Sequence, residues 1–79
     1  MNATDFINAL NDGKTLVDTE HGTTLWQVND RVTIQSPSVL AETPKISSWA
    51  ISENGNAQMF DSRNRSILIV RVKYYEVKE

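Results

Sequence analysis

The sequence predicts an α+β domain, a short N-terminal helix packed on a mostly antiparallel sheet of about five to six strands. Three observations carry this. Apolar residues at helical spacing are concentrated in the first dozen positions, with Phe6, Ile7 and Leu10 on one face and Ala3 one turn earlier. Most of the remaining chain reads as short runs rich in Thr, Val, Ile, Trp and Tyr. Between such runs stand Asn29-Asp30 and Asn54-Gly55, residue pairs suited to tight hairpins.

The helix is expected over residues 4–12, with Thr4 as its cap, Asp5 at the positive end of the helix dipole and Gly13 at the left-handed position after its last turn. Residues 14–18 form a short strand around Leu16 and Val17, and Thr19-Glu20-His21-Gly22 turns the chain. Residues 23–28 and 31–35 make a hairpin. A two-residue Asn29-Asp30 loop pairs Leu25 with Ile34 and Trp26 with Thr33, placing Leu25, Val32 and Ile34 on one face and Trp26 on the other. A three-residue loop requires a left-handed Arg31, which is unfavourable. Trp26 is then expected beneath the helix, a second subunit or a ligand. Ser36-Pro37 starts a single helical turn that Pro44 stops. Residues 45–53 and 57–60 form a second hairpin across Asn54-Gly55, pairing Trp49 with Phe60 and Ala50 with Met59. A polar loop over 61–65 leads into the longest strand, residues 66–77. Its opening Ile67-Leu68-Ile69-Val70 is apolar on both faces and is expected at the centre of the sheet.

Size and composition narrow the function. The 79 residues are read as one domain, 1–79. Chains of this size bury only about 60% of their unfolded surface, so the core is thin. Without Cys, neither disulfides nor thiolate metal sites reinforce it, and a single His excludes a His-rich metal site. Association is the remaining route to stability, so a homo-oligomer is expected. Eight Lys and Arg against ten Asp and Glu give a net charge of −2, without the basic excess that binding to a nucleic-acid backbone draws on. The N-terminal dozen residues have neither the cationic nor the apolar segment of a signal peptide. The longest uncharged apolar run, residues 67–70, is far too short to span a bilayer. A membrane partner is not expected, and a cytoplasmic location is.

No phosphate loop, nucleophile elbow or paired-His metal motif is present. His21, in a turn beside Glu20, would need a partner to serve as a general base, and the sequence identifies none. The expected protein is therefore not an enzyme and uses no cofactor. The residues that point to binding are aromatic and basic. Trp26 and Tyr75 lie on the faces opposite their strands' expected core sets, available to stack on a flat ligand or to meet a subunit. Arg63 and Arg65 flank Asn64, close enough to share a phosphate through charge-assisted hydrogen bonds, and Arg71 lies on the neighbouring strand. Trp26, Arg63, Arg65, Arg71 and Tyr75 are the candidate ligand-binding residues; the three arginines and Lys73, together with Trp26, would suit an adenine-type ring with phosphates.

The opening Phe6-Ile7-Asn8-Ala9-Leu10-Asn11-Asp12-Gly13-Lys14-Thr15-Leu16-Val17 resembles that of many small bacteriophage proteins, in which a short helix ends in Ala-Leu-x-x-Gly-Lys and runs directly into a strand. Among these it is similar to the phage Thoeris anti-defence sponge family. Tyr74-Tyr75-Glu76-Val77 resembles that family's closing aromatic strand. The resemblance implies a phage-encoded homo-oligomer in the host-cell cytoplasm that sequesters a cyclic ADP-ribose-type signal between subunits. The family's Gly-Trp segment is replaced here by Asp18-Thr19-Glu20-His21-Gly22, and no binding residue is carried over. The alternative expectation is an anti-CRISPR-like protein that docks on a host defence nuclease.

Overall fold

The computed structural model describes residues 1–78; Glu79 lies outside them. One helix, α1 (Ala3–Asn11), precedes strands β1 (Leu16–Asp18), β2 (Thr24–Val28), β3 (Arg31–Gln35), β4 (Leu40–Glu42), β5 (Ser48–Ile51), β6 (Ala57–Phe60), β7 (Ser66–Val70) and β8 (Tyr75–Val77). The class is the expected one, a helix on antiparallel sheet. The eight strands divide into a five-stranded sheet, ordered β4-β3-β2-β1-β8, and a three-stranded sheet, β5-β6-β7.

Asn2, not Thr4, caps the helix: its side-chain oxygen accepts from the Asp5 N–H at 2.8 Å, which draws Ala3 into the first turn. Gly13 follows the last turn at φ +80, as expected. Phe6 and Leu10 are fully buried, and the helix contacts β1 and β2 of one sheet and β5 and β6 of the other. One apolar cluster therefore joins both sheets. Leu16, Leu25 and Val32 come from the larger sheet, and Ala57, Met59 and Val70 from the smaller.

The first hairpin follows the expected register, Leu25 opposite Ile34 and Trp26 opposite Thr33. Asn29 and Asp30 take φ values of +50 and +64, the two left-handed residues a type I′ turn demands. Trp26 consequently leaves the core cluster and stands half-buried on the outer face. The helix lies against the other face, with Leu16 and Leu25, so it does not cover this ring.

Five expectations need correction. Ser36-Pro37 starts no helical turn; the Ser36 N–H donates to the Val39 carbonyl at 2.8 Å, and β4 returns along β3, satisfying backbone groups that β3 would otherwise leave open. The second hairpin uses three loop residues with only Gly55 left-handed, its N–H bonded to the Ser52 carbonyl at 2.9 Å. Trp49 therefore pairs with Met59, not Phe60, which sets both on the core side; a slip of one residue would turn buried Met59 outward. The run 66–77 is not one strand. A turn over 71–74, closed by the Tyr75 N–H on the Val72 carbonyl and anchored by buried Val72, passes the chain from β7 to β8 in the other sheet. β7 is accordingly an edge strand, with Ile69 50% exposed, rather than a central one. The same break turns Tyr75 inward. It is 6% exposed and meets Phe6 edge to face, the ring centroids 5.3 Å apart.

These placements separate the aromatic residues energetically. Phe6→Ala is expected to lose about 3–5 kcal/mol, enough to unfold most molecules of this size, whereas Trp26→Ala loses about 1 kcal/mol or less. Urea unfolding followed by circular dichroism distinguishes the two. Asp30→Gly, which relieves a left-handed non-glycine residue, is expected to gain up to about 1 kcal/mol in the same assay.

Candidate functional site

The helix ends before it fills the space between the sheets. Beyond it, where β2 and β3 face β7, lies an open cleft of about 330 Å³. Its apolar part comes from Leu25 and Ile34 on one side and from Leu68, Ile69 and Val70 on the other. The polar part comes from two turns. Residues 18–23 contribute Asp18 and His21; residues 71–75 contribute Arg71, Tyr74 and Tyr75.

Each turn has a local cause, and the two are tied together. Asp18 closes the first, its carbonyl accepting from the Gly22 N–H at 2.8 Å while Gly22 adopts φ +74. One Asp18 carboxylate oxygen accepts from the Glu20 and His21 N–H groups at 2.8 and 3.1 Å, an Asx-type turn. The other stands 2.9 Å from Nδ1 of His21. The N–H and hydroxyl of Thr19 both donate to the Tyr74 carbonyl, at 3.0 and 3.1 Å, which fixes the 71–74 turn beside the first. Val72 anchors that turn in the core, leaving Arg71 and Tyr74 exposed at the cleft.

The electrostatics follow. Burial pushes the Asp18 carboxyl up, but the His21 ring and the two backbone N–H groups outweigh it and leave the group below its ordinary value. Burial, reinforced by the Asp18 carboxylate, pushes the Tyr75 phenol up to about 12, so at neutral pH its hydroxyl keeps its proton. Arg71 has no carboxylate within ion-pair distance among the described residues. The cleft thus offers an apolar floor, a guanidinium, an imidazole and exposed phenol surface. No Ser, Thr or Lys lines it, and its side-chain hydroxyls are the phenols of Tyr74 and Tyr75. No group of three or more His, Asp or Glu among the described residues is arranged to hold a metal ion.

Two of the five residues singled out from the sequence, Arg71 and Tyr75, meet at this cleft. Trp26 stands on the outer face of the larger sheet. Arg63 and Arg65 belong to the 61–65 loop, which Asp61 organises: its carboxylate accepts from both of their N–H groups at 2.9 Å and from Nε of Arg65 at 3.0 Å. Those three residues do not line the cleft. Conversely, sequence reading left out Asp18 and set His21 aside for want of a partner. The signal was present as Asp18-x-x-His21 inside a turn, the spacing at which an Asx-turn carboxylate reaches the ring three residues on.

Acid stability gives a check on these carboxylates. The Arg65 N–H, against a smaller opposing effect of burial and with help from Arg63 and the Arg65 guanidinium, holds Asp61 below its ordinary value, so Asp18 and Asp61 are both depressed from 3.8. On acidification the unfolded chain therefore binds protons first. The stabilisation is complete above the ordinary carboxylate value and is lost as pH falls through the lower folded values. Thermal unfolding between about pH 5 and pH 2 should show a falling Tm, with a shallower fall in Asp18→Asn than in the parent chain.

No family model, characterised protein or solved structure matches this chain.

Proposed function

We propose that the protein is a non-catalytic binding protein that takes a nucleotide-derived, phosphate-bearing small molecule into the cleft between its sheets, and that it acts as a phage-type anti-defence factor by sequestering such a signal. The observation that supports the ligand is the cleft itself. An apolar floor suited to a flat ring lies beside a guanidinium that has no carboxylate partner among the described residues. The anti-defence role comes from the resemblance of the helix–Gly–Lys–strand opening. In the fold that opening places β1 against the closing β8, with Leu16 opposite Val77 and Asp18 opposite Tyr75. The lining supplies groups that bind and orient and contains no Ser, Thr or Lys, which favours binding over covalent catalysis.

One further feature supports a second reading, docking on a host defence protein. β4 is exposed along its whole length, and Leu40, with 70% of its surface open, presents an apolar sheet edge beside exposed Val39. The same edge suits association with a second copy of the chain, and sedimentation would register that as a mass above one chain.

Isothermal titration calorimetry with ADP-ribose and with 3′,5′-cyclic AMP tests the first reading. The expected result is saturable heat at one site per chain, with Arg71→Ala weakening binding by about tenfold or more, as loss of a charge-assisted bond does. The absence of heat with both compounds overturns it.

A further inference from the structure

We propose that Asp18 locks His21 in the tautomer that carries its proton on Nδ1, so that Nε2 serves the cleft as a hydrogen-bond acceptor and selects nucleotides whose base edge presents an exocyclic amino group. This rests on the reading of the cleft as a ligand site and names what that site distinguishes.

The chemistry follows from three contacts. The Asp18 carboxylate is an acceptor only. One oxygen is occupied by the N–H groups of Glu20 and His21, which leaves the other for Nδ1 at 2.9 Å. Two acceptors cannot share that distance without a proton between them, so in the neutral ring the proton sits on Nδ1 and the lone pair on Nε2. Nor can the carboxylate turn away. Its side chain is only 12% exposed and closes the turn, whereas that of His21 is 66% exposed. Nε2 takes no hydrogen bond from any described residue, and His21 is among the residues that line the cleft.

Two polar groups of the cleft are fixed in kind and opposite, whereas the Tyr74 and Tyr75 hydroxyls beside them can donate or accept. Nε2 accepts, while the Arg71 guanidinium can only donate. A ligand that satisfies both carries an N–H donor and an anionic group. An aminopurine nucleotide has this polarity, and its purine ring would lie on the Leu25–Ile34 floor. The corresponding 6-oxo nucleotide keeps a donor at N1–H but carries an acceptor where AMP has its amino group, so in the same pose it sets an acceptor against an acceptor. A site built to bond a donor rejects the analogue lacking it more strongly than an apolar pocket rejects a change of shape.

Asp18→Asn separates this proposal from the broader one. The amide keeps the oxygen that accepts from Glu20 and His21, and so keeps the turn, but offers an N–H to Nδ1 and drives the ring proton to Nε2. His21 is the single histidine of the chain, so nitrogen-15 spectra of its ring at pH 8.5 are unambiguous. The expected result is a proton on Nδ1 in the parent chain and on Nε2 in Asp18→Asn. In calorimetry the parent chain should prefer AMP to IMP by about tenfold, Asp18→Asn should lose or reverse that preference, and His21→Ala, an exposed change that leaves the core intact, should abolish it. A parent ring protonated on Nε2 overturns the tautomer lock whatever binds. Correct tautomers with an AMP-to-IMP ratio unmoved by both variants overturn the selection while leaving the ligand site standing. Binding of neither nucleotide, with correct tautomers, overturns the selection and counts against the ligand site itself.

Discussion

The contact on which the molecule depends is that of the helix, carrying buried Phe6 and Leu10, with both sheets. A nine-residue helix has little stability of its own, and neither three strands nor five short ones make a self-sufficient layer without something to cover their apolar faces. Phe6 and Leu10 supply that cover for both sheets at once. Phe6 also holds Tyr75 edge to face. Tyr75 seats β8 against β1, and β8 fixes where the 71–74 turn must end. The position of Arg71 at the cleft is in this sense a consequence of one phenylalanine on the opposite side of Tyr75.

The cleft has a geometric origin. At 1.5 Å per residue, α1 is about 14 Å long, while the longest dimension of the molecule is 32 Å. The helix reaches β1, β2, β5 and β6, and the inner faces of β2, β3 and β7 beyond it meet no comparable filling element. Lengthening the helix is blocked by its own terminus: the Asp12 N–H returns to the Asn8 carbonyl, and left-handed Gly13 directs Lys14 back to the Ala9 carbonyl, turning the chain into β1. It is the start of the helix that lies by the cleft: the Met1 ammonium donates to the Lys73 carbonyl at 3.3 Å, while Asn11 at the other end accepts from Gln27 at 3.0 Å.

How much of this was readable varied with the physics at each place. The Asn29-Asp30 hairpin was legible because its turn demands two left-handed residues, and few pairs tolerate that. Its register then placed Trp26 outside the core without further information. The Asn54-Gly55 hairpin was legible as a hairpin but not in register, since the pair can form a two-residue loop with both residues left-handed or end a three-residue loop with Gly55 alone left-handed, and burial of Met59 decides between them. The break between β7 and β8 left no local trace. Arg71-Val72-Lys73-Tyr74 alternates like a strand and contains neither Gly nor Pro, and only the separation of two sheets, with Val72 drawn into the core, bends it. The site suffered accordingly. Arg71 and Tyr75 stood out by residue type, while the Asp18–His21 contact was within reach of local reasoning. Their convergence on one cleft was not, because it depends on where the long run breaks.

The division of labour within the cleft follows from what each surface can do. Ile34 and Leu68 are only half-buried although both pack against the core, so apolar area remains wetted there that a flat ring would dehydrate. At about 25 cal/mol per Å² that area is a source of affinity with little directional demand. Direction comes from the rim, where His21 and Arg71 are held by turns rather than by packing of their own side chains. Because the turns are cross-linked through Thr19 and the Tyr74 carbonyl, the backbone positions that carry His21 and Arg71 are kept in a fixed relation even though both side chains face water. A thin-cored chain thereby obtains a preorganised polar rim from backbone hydrogen bonds, leaving its scarce apolar residues to hold the sheets together.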